Sequence, residues 1–447
     1  MTVQQTEFLA SLDSRAADIA DSCTRCGKCV AVCPMPGLTG IDASEPEKIV
    51  SGVLDILRDG AGPEASARWA SVCSGTGHCI SACDYGVNPR FMLSLARRAL
   101  KKGQPEEKRR DAGKKGFQQM SRGVRVLSRL QLPPDLMARL NPSSHPERDE
   151  APDLIFYTGC NMLKTPHIGL LCLDVLDRLG VSYEVYGGPS NCCGVLQWRP
   201  GDDANSGRQA YKTIERFAQT KTSEVLSWCP TCQIQFSEMS LPNFAGADGP
   251  VFDMTMFAVY LERRLDELRR LMTRPVKKRV ALHEHAGALG VTEAVKRLLR
   301  AIPGLELVEL HLPQVGYALT ALREVPDHQR KIVAMELKAA EEARVTTLAG
   351  IYHSDHRELV GHESQWSFEI VNFMELIGES MGLHRDDVFK RLKMMRDVDA
   401  ILADTADLIA TYRLDPEEVR EVVLKDIIGD QHLPLDRNAH AKYLADG

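Results

Sequence analysis

Residues 159–167 read GCNMLKTPH, 190–198 read SNCCGVLQW and 227–236 read SWCPTCQIQF. Together they place Cys160, the adjacent pair Cys192 and Cys193, and the CxxC of Cys229 and Cys232 in one segment with the spacing Cx31CCx35CxxC. Adjacent cysteines do not easily both ligate one tetrahedral ion, whereas a larger, opened cluster accepts bridging and terminal thiolates from both. More sulfurs than a cubane needs implies an unusual cluster. The surrounding sequence alternates short apolar runs, DLIFYTG, SYEVYGG and SEVLSWC, with helical ones such as HIGLLCLDVLDRLG and RQAYKTIERFAQ. Each apolar run ends at a cysteine or a Gly-rich turn, which is the α/β layout with chemistry at the carboxyl ends of strands.

All thirteen cysteines lie at Cys232 or earlier, in tight motif spacings. The opening MTVQQTEFLASLDSR has no basic-then-apolar export pattern, so the spacing argues for thiolate ligands to iron-sulfur clusters or zinc in a reducing compartment rather than for disulfides. No run approaches the roughly eighteen apolar residues of a membrane span. A cytoplasmic protein is expected, with any membrane contact peripheral. At 447 residues and a net charge of −6 the chain holds two to four compact units, and no nucleic-acid partner is expected.

SCTRCGKCVAVCP gives Cys23, Cys26, Cys29 and Cys33 as CxxCxxCxxxCP, the signature of a [4Fe-4S] cubane in a two-cluster module. The partner motif reads CSGTGHCISACD: Cys73, Cys79 and Cys83 are in place, Thr76 stands at the second cysteine position and Asp84 at the proline. Crossed ligation groups Cys23, Cys26, Cys29 and Cys83 on one cluster and Cys73, Cys79 and Cys33 on the other. Three thiolates suit a [3Fe-4S] cluster, or a [4Fe-4S] cluster whose odd iron takes Thr76, His78 or water.

At the five cysteines the sequence resembles the CCG-domain family, whose type member is the catalytic subunit of heterodisulfide reductase. The resemblance implies that Cys160, Cys192, Cys193, Cys229 and Cys232 hold a noncubane [4Fe-4S] cluster that binds and cleaves a disulfide; Gly159, Gly194 and Pro230 also fit the pattern. Cys172, on an apolar helix, has no match there and reads as a core residue. A two-cluster module fused to CCG domains is the layout of heterodisulfide-reductase-like subunits, and also of iron-sulfur subunits of glycolate and anaerobic glycerol-3-phosphate oxidation. The implied function is passage of single electrons through the N-terminal clusters to the noncubane cluster, which reduces or forms a disulfide or related sulfur substrate, free or on a small carrier protein. The alternative is a non-catalytic relay for a flavoprotein dehydrogenase of glycolate, lactate or glycerol-3-phosphate type. A structural zinc at the five cysteines is a third reading. No GxGxxG or Walker loop is visible, so flavin or nicotinamide chemistry belongs to partner subunits.

A second strand-helix series, KKRVALHEHAG, GLELVELHL and TTLAGIYHSDH, reads as a divergent internal repeat without its sulfurs. His283, Glu284, His285 and Ala286 stand at the first motif, Gln314, Val315 and Gly316 near the pair, and His353, Ser354, Asp355 and His356 at the CxxC. This half reads as a degenerate completion of the fold. The sharper reading is that His283, His285, His353 and His356, with His311, bind Zn or non-haem Fe.

The expected organisation is an α/β protein with an N-terminal α-helical ferredoxin-like module (1–100), a basic linker (101–152), a first CCG half-domain (153–260), a degenerate second one (275–385) and a helical C-terminal region (386–447). Between Arg90 and Arg129 thirteen Lys or Arg face three Asp or Glu. This run reads as a solvated helical face, or as a docking surface for an acidic partner or anionic lipid.

Overall fold

The computed structural model describes residues 3–145, 150–244, 252–287 and 289–444; positions 1–2, 146–149, 245–251, 288 and 445–447 of the expected domains lie outside the described residues. Ahead of residue 154 the described chain is helical, without strands. Four helices carry the N-terminal part: α1 (Val3–Ser22), α2 (Pro46–Asp59), α3 (Glu64–Val72) and α4 (Pro89–Lys102). Helix α2 starts on a proline, whose missing N–H is no loss at that position, and buries Ile49, Val50, Val53, Leu54 and Ile56 along one face. The Asn88 side chain caps α4 by accepting from the Phe91 N–H at 3.1 Å. The two cysteine loops repeat one turn. Gly27 and Gly77, at φ 75° and 82°, each precede a four-residue helix that carries the cysteine at the third motif position, Cys29 and Cys79. A β-carbon is disfavoured at that φ, so glycine is what lets the loop fold back on itself.

The segment read as a basic linker is in large part helix α5 (Glu106–Arg129). Its first half is charged and exposed, while Val124, Val126 and Leu127 near its end are buried. Arg122 and Arg125 both pair with Glu418 of the C-terminal region, and Arg122 also pairs with Glu421. Part of the basic run is thereby committed within the chain.

Two parallel four-stranded sheets follow. The first contains β1 (Leu154–Gly159), β2 (Tyr183–Gly187), β3 (Glu224–Ser227) and β4 (Asp253–Met256) in the order β2-β1-β3-β4, with α6 (Pro166–Arg178) and α7 (Asp203–Gln219) as crossovers. The central strand β1 is buried at every residue, as a parallel strand covered on both faces must be. The second sheet contains β5 (Arg279–Leu282), β6 (Glu306–Val308), β7 (Thr347–Gly350) and β8 (Glu369–Asn372) in the order β6-β5-β7-β8, with α8 (Val291–Arg300), α9 (Pro326–Glu342) and, after β8, α10 (Phe373–Met381). The strand order of the first sheet is thus repeated in the second. The carboxyl ends of β1, β2 and β3 carry the five cysteines, and those of β5 and β7 carry the histidines.

The halves share an apolar core in which Trp228, at the end of β3, stacks on Phe373 with ring centroids 5.7 Å apart. Polar pins join the N-terminal helices to the first sheet unit. Arg90 meets Glu238 at 2.6 Å and Arg98 meets Asp203 at 2.7 Å, and Trp198 donates to the Ser94 hydroxyl at 3.0 Å. The Arg90 and Glu238 side chains are only 8% and 10% exposed, so removal of one strands the other charge in a poorly solvated site. Glu238→Ala is expected to cost about 3–5 kcal/mol in unfolding experiments. Lys102→Ala, at an exposed pair with Asp13, should cost no more than about 1 kcal/mol.

Candidate iron-sulfur centres

Two neighbouring cavities open among the N-terminal helices. Cys23, Cys26, Cys29 and Cys83 line the first, against Val50 and Met92. Cys33, Cys73 and Cys79 line the second together with Thr76, Trp69 and Arg90. Each motif therefore sends its last cysteine to the other's cavity. Thr76 is buried at the second cavity, whereas His78 is exposed and does not line it. The Trp69 indole N–H points at Cys33 Sγ, 3.4 Å away, a bond that would favour the more negative state of a cluster held there. Burial, together with the neighbouring cysteines, pushes the Cys29 and Cys79 thiols up to about 12. Such thiols stay protonated at neutral pH unless a metal takes the place of the proton, which sets them apart from reactive cysteines.

The five cysteines of the first sheet unit converge. Cys160 follows β1, Cys192 and Cys193 follow the turn after β2, Cys229 follows β3, and Cys232 lies one helical turn beyond. Their sulfurs form a continuous hydrogen-bonded run, Cys160 to Cys192 to Cys193 to Cys232 to Cys229. Accepting from Cys160 and Cys193 holds Cys192 well below the ordinary thiol value, and accepting from Cys232 brings Cys229 to about 7. Sharing protons with these neighbours, reinforced by burial, pushes Cys160 and Cys232 up. Backbone and phenol groups face the same sulfurs: the Gly194 N–H lies 3.4 Å from Cys192 Sγ, and the Tyr157 hydroxyl lies 3.8 Å from Cys232 Sγ. At Gly159 a side chain would stand 3.3 Å from Cys232 Sγ, so the bare backbone there makes room for the sulfur group. Five sulfurs in contact exceed the four ligands of a tetrahedral ion and fit a multi-iron cluster. All of them are free thiols, and Cys172 packs in the apolar core.

A cleft of about 390 Å³ runs between the N-terminal part and both sheet units, with Cys73 and Gly75 on one wall and Thr231, between Cys229 and Cys232, on the other. Arg97, Lys101, Arg199 and Arg323 face it. Tyr317, from the second unit, closes one end: its hydroxyl lies 3.1 Å from Thr231 Oγ1, and a β-carbon on Gly75 would collide with its ring at 2.5 Å. Trp69, Tyr157, Tyr317 and the Arg90–Glu238 pair escaped the sequence reading, because nothing in their local pattern links them to sulfur.

The histidines divide into two groups. His283 and His285 meet Asp355, with His283 Nδ1 2.5 Å from Glu336 and His285 Nε2 2.7 Å from Asp355. His356 joins His167, Glu375 and Asp387 instead. His353 is buried beside Arg357, and both effects hold its imidazole down, at about 3, in the neutral form. His311 is exposed, in neither group. The four-histidine constellation read from sequence is therefore not one site.

Burial opposes charge on His283, but the Glu336 carboxylate outweighs it and raises the imidazole to about 9. Its protonation stabilises the fold fully below the unfolded value near 6.5 and is lost as pH rises through about 9. The unfolding free energy from denaturant titration is expected to fall across that window by on the order of 3 kcal/mol, and His283→Gln should flatten the slope. The crossed arrangement predicts that Cys83→Ser alters the same electron paramagnetic resonance (EPR) signal as Cys26→Ser. Cys33→Ser should instead alter the signal that Cys79→Ser does.

Residues 22–87 match the 4Fe-4S dicluster domain and residues 154–237 the cysteine-rich CCG domain. The chain is 25% identical over 410 residues to the D subunit of dihydromethanophenazine:CoB–CoM heterodisulfide reductase of Methanosarcina mazei, spanning 81% of this chain and 94% of that one. It is 22% identical over 371 residues to the B subunit of fumarate reductase (CoM/CoB) of Methanothermobacter marburgensis, covering 79% of this chain and 60% of the relative. The C subunit of anaerobic glycerol-3-phosphate dehydrogenase of Escherichia coli K12 is 28% identical over 173 residues, 37% of this chain and 43% of its own. No solved structure matches the chain. Among the described residues no helix is long and apolar enough to cross a membrane. The chain is an iron-sulfur electron-transfer protein that joins a 4Fe-4S dicluster domain to a CCG cysteine-rich domain, and it is homologous to the D subunit of heterodisulfide reductase over 81% of its length.

Proposed function

We propose that the chain is the electron-transferring catalytic subunit of a heterodisulfide-reductase-like complex, reducing or forming a disulfide or related sulfur substrate at the five-cysteine centre. The observation that carries this reading is the run of five sulfurs, four buried and Cys229 partly exposed, beside a cleft that also touches the second N-terminal cavity. Cys23, Cys26, Cys29 and Cys83 would hold the first cubane. Cys33, Cys73 and Cys79, with Thr76 beside them, would hold a second cluster of three or four irons. Cys160, Cys192, Cys193, Cys229 and Cys232 would hold a noncubane cluster, which supplies single electrons to sulfur.

Exposure orders the three centres. Cys26 is exposed at the first cavity, and Val32 and Tyr85 nearby are 43% and 53% exposed, a face suited to an electron-transfer or flavoprotein partner. The second cavity is interior and adjoins the cleft, so electrons would run from the exposed face inward. Reduction of a disulfide consumes two electrons and two protons and releases two thiols. The cleft is open to water, which supplies the protons, and its Arg and Lys side chains favour an anionic sulfur compound. Tyr157 donates to the Asn191 carbonyl at 2.8 Å and stays neutral, since burial and the nearby thiols push its phenol well up. It therefore fixes the loop that leads into Cys192 without adding charge.

A second reading, a relay that only carries electrons for a flavoprotein dehydrogenase, draws on the likeness to the glycerol-3-phosphate dehydrogenase subunit and on the sulfur-free second unit. Turnover separates the two. With reduced viologen as donor and an anionic disulfide as acceptor, the full chain is expected to release thiol, and Cys193→Ser should bring this to background. Arg199→Ala should raise KM about tenfold with kcat little changed, the pattern of lost uniform binding. Viologen oxidation that needs a flavoprotein partner and never yields thiol would establish the relay.

A further inference from the structure

We propose that His167, His356, Glu375 and Asp387 form a structural site for one divalent transition-metal ion, zinc by ligand type, that fastens the two sheet units together. His167 is the second residue of α6 in the first unit. His356 lies in the helix after β7, Glu375 in the first turn of α10, and Asp387 caps the helix at 388–395, all beyond the first unit. The four offer ligand atoms within 4.8 Å of one another. His167 is 2% exposed and His356 fully buried, and the Glu375 and Asp387 side chains are 20% and 6% exposed.

Hydrogen bonding accounts for only the His356–Asp387 part of this arrangement. Neither ring nitrogen of His167 has a hydrogen-bond partner, nor has Nδ1 of His356. His167 Nε2 stands 3.6 Å from Glu375 Oε1 and Nδ1 stands 3.5 Å from Asp387 Oδ1. The first gap is long for a charge-assisted hydrogen bond, yet it is close to the edge of about 3.4 Å between two ligands that share a tetrahedral ion with bonds near 2.1 Å. His356 Nε2 sits 2.7 Å from Asp387 Oδ2, so closure on an ion opens this contact. The carboxylates are already aimed: Glu375 Oε1 accepts from the Asn372 N–H at 2.7 Å and Asp387 Oδ1 from the Lys390 N–H at 2.9 Å. Such outer contacts are what orient metal ligands. Lys390 Nζ, the cation beside the site, is held by Glu363 and the Ile370 carbonyl at 2.9 Å each. One dication balances two carboxylates while both imidazoles stay neutral. Four protein ligands leave no open position, which marks a structural rather than a catalytic ion. The His283, His285 and Asp355 group differs, since both of its histidines hydrogen-bond a carboxylate, at 2.5 and 2.7 Å, and it has no counterpart of His167, whose two ring nitrogens are both without a partner.

The test uses the full chain, expressed with zinc supplied and purified anaerobically without chelator, with metal analysis and X-ray absorption at the zinc edge. About one zinc per chain is expected, with nitrogen and oxygen neighbours at about 2.0–2.2 Å, imidazole scattering and no sulfur near 2.3 Å. His167→Gln and Asp387→Asn should each lose zinc at least tenfold while the iron content holds. Less than about a tenth of a divalent ion per chain would overturn the proposal, as would sulfur in the zinc shell, which places the ion among the cysteines, or full zinc in His167→Gln. Should that variant fail to fold, the wild-type content and spectrum decide alone.

Discussion

Gathering five thiols in an apolar interior is the constraint on which the rest of the structure depends. Ionised together without a cation they would repel one another and lack solvation. Protonated, they make only weak hydrogen bonds. A cationic cluster converts that liability into binding energy, and the fold supplies what such a cluster needs: sulfur-bearing loops at the adjacent carboxyl ends of parallel strands, fixed by a sheet whose central strand is buried throughout. The duplicated sheet then has a mechanical role. Its strand order repeats the first, its Trp228–Phe373 stack fuses the two cores, and it contributes Tyr317 to the boundary between the second N-terminal cavity and the five sulfurs.

That boundary is where packing and electron flow meet. The Arg90 guanidinium donates to the Gly75 carbonyl at 3.1 Å, on the loop of the second cavity, and to Glu238 beyond the five-cysteine motif. A single buried ion pair therefore ties the two metal-binding regions to each other. Buried pairs add little net stability against apolar substitutes but specify geometry, and relative position is what single-electron transfer between centres requires. Gly75 belongs to the same joint, since only a residue without a side chain lets the Tyr317 ring lie on that loop.

Much of this was legible in the sequence because cysteine spacing is a local signal tied to cluster geometry. The α/β alternation, the crossed grouping of Cys33 and Cys83 and the repeat of the second unit all follow from short motifs and periodicities. The histidines mark the limit. His283, His285, His353 and His356 occupy equivalent strand ends, so the repeat invites a single site, yet His283 and His285 gather at Asp355, His356 joins Asp387, and His353 lies beside Arg357 in neither group. His167 and Asp387 are 220 positions apart in the numbering, and no pattern in either neighbourhood announces the other. Tyr317 was hidden for the same reason, since a ring that packs across units leaves no periodic trace, and Trp69 because a core tryptophan's sequence does not show which sulfur its indole N–H faces.

The central claim, that substrate sulfur meets the five-cysteine centre, is tested most directly by low-temperature EPR of anaerobically purified protein oxidised stepwise with and without an added thiol. The account predicts a new paramagnetic signal that requires both oxidation and thiol and that vanishes in Cys193→Ser while the signals of the N-terminal clusters persist. Cubane signals alone, indifferent to thiol in wild type and variant alike, would contradict it.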